Sequence, residues 1–475
     1  MKKQGLIICA AACAVGLAAG IAVGSIVLKN GSADPKTAAD KTNGTEITFT
    51  VPEIPAHSAE TFEAEDVPAP EIVTASFFGD AEKAYTLLSK LKDSGAGANA
   101  STLKSVTDAE AAFCAFSRYL EYKDSISVTI GDTVYGAYCP EGYPAIGGGA
   151  GYDRIITSGD YTVRTYDELV DACAKAKSGE VIFIPSDAVI SVDKNNKGDR
   201  THHFMLGEGV TLASDRGYVR EDGSVSTGAI IKGDGYGAYL ATSFISCASS
   251  SRITGLVIQG PDPMRHVNHH TRAFYGVNGV EAKGRSYYYA ISMPAGIKIR
   301  GTNVEIDNCE ISAFCNEAIG VEDFDAHVHH NYIHHNQIKG LGYGVCFYHG
   351  GAIVESNMFD FNRHSIAGVG YGDSWYIARY NVDMGDVLDH VYDMHGGADR
   401  GDGTNIAGKF VEMYNNTFLT DDRPYHVRGV PVEKQTFYHN ILFHPVSQYN
   451  LNVLRGARTT ISDNIFGIGT ENVVK

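Results

Sequence analysis

The sequence predicts an all-β protein, a parallel β-helix in which each short repeat forms one coil. Three observations carry this. An asparagine followed at once, or after one residue, by an apolar side chain recurs at Asn308, Asn331, Asn357, Asn381, Asn416, Asn440 and Asn464. The gaps are 23, 26, 24, 35, 24 and 24 residues. Such a period marks a stacked repeat, because one unit cannot bury its apolar face alone. Each unit also holds short β-rich runs of period two, broken by Gly, Asn and Asp. No unit holds a helix-length periodic segment, which excludes leucine-rich, ankyrin and other helical repeats. Strands should therefore stack about 4.8 Å apart, coil on coil. The repeated asparagine is expected at a turn, itself in the left-handed region, with the stacked amides forming a ladder.

The entrance to the repeats reads Tyr161-Thr-Val-Arg-Thr-Tyr-Asp-Glu-Leu-Val-Asp-Ala-Cys-Ala-Lys-Ala-Lys-Ser-Gly-Glu-Val-Ile-Phe-Ile184. With it the chain resembles the right-handed parallel β-helix proteins of the pectate-lyase-like (pectin lyase fold) superfamily. There a short strand, a capping amphipathic helix and the first coil strand come in this order. The resemblance spans residues 160–470 and implies a right-handed solenoid with an N-terminal capping helix. It leaves the chemistry open, since the superfamily hosts lyases, glycosidases, phage tailspikes and non-catalytic surface proteins.

The chain divides into four parts. Residues 1–28 hold a basic start and then Leu6–Leu28, 23 residues without a charge. That is long enough to span a bilayer, and Lys2 and Lys3 favour a cytoplasmic amino terminus. A cleaved signal peptide ending near Gly31-Ser-Ala33 is the rival reading. Residues 29–76 are polar, acidic and proline-bearing, a linker. Residues 77–150 read as a small helical module, with amphipathic helices over Asp80–Lys92 and Thr107–Tyr122. A hairpin over Ser125–Tyr138 and a glycine-rich hinge over Ala145–Gly151 complete it. Residues 159–470 are the solenoid, with early coil strands around Phe204, Gly209–Leu212, Gly228–Lys232, Phe244–Cys247 and Ser251–Gln259. A cell-surface protein tethered by one N-terminal helix is the expected location, with secretion as the alternative.

The net charge is −17, which argues against nucleic acid or an anionic membrane surface as partner. The membrane enters only through the N-terminal segment. Nine cysteines in irregular spacing form no CxxC-type metal pattern and read as small buried residues.

Two stretches break the repeat. Residues 261–295 carry His269 and Arg272 on a long loop. The gap from Asn381 to Asn416 exceeds the usual 24 by 11 residues. The excess falls in Val391–Asn405, which carries Asp393, His395, Asp399, Arg400 and Asp402 among four glycines. Loops leaving a rigid scaffold concentrate binding residues. Carboxylates among glycines also suit Ca²⁺, with Asp399 and Asp402 as ligands.

Aligning the coils on Ile319, Ile338, Ile366, Val391, Val427 and Leu451 as core residues puts their neighbours on the outer face. His390, Tyr392, His426 and Arg428 then occupy two successive rungs, beside Asp393 and His395. Lys339, Arg363, His364 and Arg400 extend the same groove as substrate-binding residues, with His269 and Arg272 from the other loop. β-Elimination from a uronate needs a base for the C5 proton, an acid for the leaving oxygen and a cation for the carboxylate. His390 or His426, Tyr392, and Arg428 or calcium meet those needs. A glycosidase would draw on Asp389, Asp393, Asp399 and Asp402. The expectation is an extracytoplasmic carbohydrate-active protein acting on an acidic or decorated polysaccharide, a lyase ahead of a hydrolase. A non-catalytic surface protein that binds glycan or builds the envelope is the alternative. His329/His330 and His334/His335, flanking Asn331, could hold a transition metal, although no spacing template demands it.

Overall fold

The computed structural model describes residues 127–140, 144, 146–192, 202–233, 243–261, 294–337, 340–384, 387, 389–419, 423–442 and 458–466. The proposed anchor, linker and two helices of the module lie outside them, as do Lys339, His269 and Arg272. Within the described residues no helix is long and apolar enough to cross a membrane.

The solenoid has three parallel sheets, here called I, II and III, of 11, 10 and 8 strands. Sheet I opens with Tyr161–Thr162, pairs it with Val181–Phe183 and runs coil by coil to Thr459–Ser462. Between its first two strands Tyr166–Lys175 forms the capping helix. Thr165 accepts from the Glu168 backbone while the Glu168 carboxylate reaches back, a complete capping box. The buried Leu169 and Ala172 press this helix onto the open end of the core. The entrance therefore folds in the order its sequence predicts.

Register is set by stacked apolar columns. In sheet I, Leu212, Ile253, Ile306, Val328, Val354, Ala378, Met413 and Phe437 lie rung on rung. Each fully buried aliphatic side chain contributes about 2 kcal/mol. A one-residue slip would expose the whole column.

The amide ladder forms, with one correction. Asn331, Asn357, Asn381, Asn416, Asn440 and Asn464 pass Nδ2–H to Oδ1 from coil to coil at 3.0–3.1 Å. The left-handed residue is not the ladder asparagine but the one before it: His330, Ser356, Tyr380, Asn415, His439 and Asp463. In the first unit Asn308 itself is left-handed and Cys309 takes the ladder position, its N–H donating to Asn331. A second ladder joins Asn336 to Asn362. Ser251–Gln259, read as one strand, is two, broken at Gly255 with φ +70°. A Cβ there would meet the Ser214 carbonyl oxygen at 2.1 Å.

The predicted hairpin is present, pairing Ser127–Ile130 with Thr133–Gly136. The glycine-rich segment beyond it is not a hinge. Ile146–Gly149 are buried. Gly136 donates to the His439 carbonyl, Gly147 to that of Ser356, and Gly149 to Asn308 Oδ1. Tyr152 then donates to Asp307 at 2.6 Å. Residues 134–140 and 146–154 thus form a strap along the asparagine edge, from late coils to early ones. Among the described residues Cys247, Cys309, Cys315 and Cys346 are buried, as the packing reading expects.

Candidate active site

The outer face of sheet III gathers most of the predicted site residues, through a register different from the expected one. Ile319, Val345, Ile366 and Tyr392 form one inner column, and Tyr392 lies opposite Tyr425. The aligned core residues are thus Tyr392 and Tyr425, not Val391 and Val427, with Val345 in the same column, while Ile338 and Leu451 lie outside the described residues. Val391 and Val427 nevertheless stay buried. Val391 and Tyr392 both join the core cluster, as do Ala318 and Ile319. Two consecutive inward side chains at the entrance to the strand break the period-two argument. His426 consequently faces Asp393, not His390.

Tyr392 is removed from the site by this register. It is fully buried and packs on Phe418 with ring centroids 5.0 Å apart. Burial, then the nearby Asp383, raises its phenol well above the ordinary range. It cannot meet a substrate as an acid.

Asp393 is the centre of what remains. It is fully buried on the outward side of its strand. Arg428 reaches it through Nε at 3.2 Å and Nη2 at 2.5 Å. His395 Nε2 stands at 2.9 Å and His390 Nε2 at 3.1 Å. Burial opposes the Asp393 charge, but Arg428, His395 and His390 outweigh it and hold the carboxyl well below the usual range. Arg428 also reaches Asp399 at 3.4 Å. Its guanidinium loses hydration on burial, yet Asp393 more than compensates and raises its pKa.

His390 spans two carboxylates, with Nδ1 3.0 Å from Asp389. Burial disfavours the Asp389 charge, while the hydrogen bond from His390 and the Arg363 charge hold it below the ordinary range. His364 lies beneath. Its Nδ1 meets the His390 carbonyl oxygen at 2.5 Å, so the proton sits there and Nε2 is bare. Burial, then Arg363, lowers its pKa well below the ordinary imidazole value. Fully buried, His364 cannot touch substrate as expected. Arg363 is committed to Tyr343 and Asp389 at 3.2 and 3.4 Å.

Arg400 is not a substrate ligand either. It donates to the carbonyls of Val369, Gly370 and Ile406 at 2.9, 2.6 and 2.9 Å, and to Asp402 at 2.8 Å. It ties the 391–405 excursion to the coil before it, helped by a short helix at Gly397–Arg400 that ends on left-handed Gly401. The calcium pair does not converge. Asp402 accepts from Thr404 and Arg400, while Asp399 turns to Gly396 and Arg428. Neither belongs to a converging group of three ligand atoms among the described residues, whereas His364, Asp389 and His390 do. No step is therefore routed through calcium.

Two half-buried side chains front the cluster. His426 is pushed down to about 3, by burial first and by neighbouring His390 second. It is a neutral imidazole at pH 7. Its Nδ1 stands 3.5 Å from Arg423 Nη1. Arg423 was missed because it lies outside the columns flanking the aligned apolar residues. Among the described residues it makes no ion pair, unlike Arg363, Arg400 and Arg428. A Val-Arg-Gly or Arg-Pro string offers no signal for that difference.

The sequence matches no family model and no curated protein. Among solved structures it is similar to the crystal structure of an alginate lyase from Paenibacillus sp. str. FPU-7. The likeness has 15% identity and a TM-score of 0.38, covering 64% of this chain and 94% of that one.

Proposed function

We propose that the protein is a polysaccharide lyase acting on a uronate-containing chain, with His426 as base and Arg423 as carboxylate partner. The observation that carries this reading is their juxtaposition. The acidic hydrogen of a uronate sits on C5, the carbon that bears the carboxylate. A base beside the carboxylate's cation is therefore the required arrangement, and His426 Nδ1 faces Arg423. Burial keeps His426 neutral at pH 7, and its Nδ1 lone pair, which faces Arg423 at 3.5 Å, is released to C5 when the substrate carboxylate takes that guanidinium.

His426 removes the C5 proton, the C5 electron pair forms the C4=C5 bond, and the C4–O bond breaks. With Tyr392 in the core, the imidazolium of His426 returns the proton to the leaving oxygen. Arg423 stabilises the charge that builds on the carboxylate. Arg428, Asp393, His390 and His395 position the rung beneath.

Three of the four candidate carboxylates speak against a hydrolase. A glycosidase needs a carboxylic acid that stays protonated near neutral pH. Asp389, Asp393 and Asp402 are all held lower than ordinary carboxylates. We place the domain outside the cell, on the strength of the charge-free Leu6–Leu28 segment.

The test is a panel of acidic polysaccharides incubated with purified full-length protein. Ultraviolet absorbance of unsaturated uronate, rising with reducing ends, supports a lyase. Reducing ends without that absorbance indicate a hydrolase and refute the assignment. Binding without products supports the non-catalytic alternative.

A further inference from the structure

A second polar cluster lies on the outer face of sheet I, away from the sheet III site. Glu305 and His327 occupy one column on adjacent rungs, and Asp307, His329 and Glu355 the next. The contacts cross between columns. His329 Nε2 is 2.9 Å from Glu305 Oε1, and His327 Nε2 is 2.7 Å from Glu355 Oε1. The two imidazoles overlap with centroids 4.0 Å apart. One ligand atom from each of Glu305, His327 and His329 lies within 4.8 Å of the others.

We propose that Glu305, His327 and His329 bind a divalent transition-metal ion of the zinc class, with water completing the coordination. Two imidazoles and a carboxylate are a set that Zn²⁺ takes with an open position. Ligand atoms about 2.1 Å from a tetrahedral ion stand about 3.4 Å apart. A closure of at most about 1.4 Å from the present spacing of up to 4.8 Å suffices, within reach of side-chain adjustment.

The surroundings resemble an outer shell. A ligating histidine needs its other nitrogen held. His329 Nδ1 stands 2.8 Å from His330 Nδ1, a contact that accommodates one proton. With that proton on His329, its Nε2 presents a bare lone pair toward Glu305. His327 has the Glu355 carboxylate at Nε2, which leaves Nδ1 for the ion. Glu355 is itself fixed by Arg379. Access is open, since the His327 side chain is 38% exposed and that of Glu305 24%.

The competitor is Arg154, which holds both Glu305 oxygens at 2.5 and 3.1 Å. It belongs to the strap and is 48% exposed. Arg252 approaches the same carboxylate at 3.3 Å. An ion would have to take Oε1 from Arg154, so metal and strap compete for one oxygen.

The experiment is calorimetric titration of chelator-treated, untagged full-length protein with ZnCl₂, with Co²⁺ absorption as a readout of geometry. One Zn²⁺ per chain is expected, together with visible Co²⁺ bands. His327→Ala and His329→Gln should each weaken binding at least tenfold, and Arg154→Gln should strengthen it severalfold. His327 is exposed enough that its alanine variant should fold, checked by an unchanged melting curve. Absence of binding overturns the proposal. So does binding that survives His327→Ala but disappears in Asp389→Asn, which would assign the ion to His364, Asp389 and His390.

Discussion

The asparagine edge and the outer face of sheet III use the same device for different ends. Both stack polar side chains coil on coil at strand spacing. Along the edge each interior amide is fully engaged. Asn381, for example, donates to the Val354 carbonyl and Asn416 Oδ1, and accepts from the Asn357 backbone and side chain. On sheet III the rungs differ from one another, and among the described residues His364 Nε2 has no hydrogen-bond partner. A satisfied ladder only stabilises, because no group is left to bind anything else. An irregular cluster with imbalanced rungs has capacity left for a ligand. Repetition marks the scaffold, and its interruption marks the candidate site.

The comparison is tested most severely at His426. His426→Ala should lower turnover by about 10²–10⁴-fold, the range for a lost general base. Thermal unfolding should hardly change, because the side chain is half-buried and makes no strong hydrogen bond. A variant that keeps tenth-level activity would remove His426 from the chemistry. The pH profile provides an independent reading. With a pKa of about 3 in the free protein, the basic form persists through mildly acidic pH. The acid limb of kcat/KM should therefore lie near pH 3, not near the ordinary imidazole value of about 6.5. A limb at pH 6–7 would contradict the burial argument.

The same contrast explains how much was legible in the sequence. The solenoid, its capping helix and the amide ladder were readable because each depends on a repeated or local pattern. Asn331 and Asn464 do the same thing, so one explains the other. The site was legible in part. His390, Asp393, His395, His426 and Arg428 do assemble; the residue excess after Asn381 pointed to Asp393 and His395, and the columns beside the aligned apolar residues to the other three. The register was not readable. Val391 and Tyr392 are both apolar and both buried, and alternation cannot say which holds the rung. Arg423 was invisible because its property, a guanidinium with no ion pair among the described residues, is a fact of three-dimensional neighbours. The strap was missed for a similar reason. Ala145–Gly151 looks like a hinge to composition, and only its partners Ser356 and Asn308 reveal a packed segment.

On the scaffold side the largest expected effect is Asn381→Ala. It leaves the Asn357 N–H and the Asn357 Nδ2–H without their shared acceptor inside the ladder. The cost should be about 3 kcal/mol, from two or more buried polar groups left unpaired. Denaturant unfolding measures it, and activity per folded molecule should stay near wild type. A cost within experimental error would mean that the ladder is decorative. Acid should also weaken the scaffold in two stages. His330 is pushed down to about 4, by burial first and by neighbouring His329 second. The unfolded chain then binds more protons than the native one between about pH 6.5 and 4, so stability falls as pH drops through that window. Glu355 is buried, but His327 and Arg379 outweigh this and hold it at about 2. Its contribution is lost at lower pH, from about 4.5 down to 2. A melting temperature that is flat from pH 7 to 4 would count against the buried neutral histidines.

A smaller effect separates recognition from chemistry. Arg423→Gln should raise KM and lower kcat/KM by about 10–100-fold, equivalent to losing a charged hydrogen bond of about 1.5–3 kcal/mol. The His426 pKa should rise in this variant, because the Arg423 charge is among the contributions that lower it. The two readouts together distinguish a carboxylate partner from a mere prop for the imidazole. An unchanged KM on a uronate substrate would leave the prop alone.

The smallest effect concerns Tyr392, and it decides the register on which the comparison rests. Tyr392 sits opposite Ile366 on one side and Tyr425 on the other, with Asp393 as the next, outward residue. If that register holds, Tyr392→Phe removes a hydroxyl from the core and leaves the ring packed on Phe418. The volume is almost unchanged, so stability should shift by less than about 1.5 kcal/mol in either direction. Turnover should equal wild type, because the outward rung of Asp393 and His426 is untouched. A strong loss of activity with an unchanged melting curve would instead put the phenol in the groove. Because side chains alternate within the strand Tyr392–Met394 itself, Asp393 would then point into the core. An ionised carboxylate there would lose the His390, His395 and Arg428 contacts that hold its charge. The observed convergence of those three groups on Asp393 favours the first outcome, and the tyrosine variant tests it without perturbing any of them.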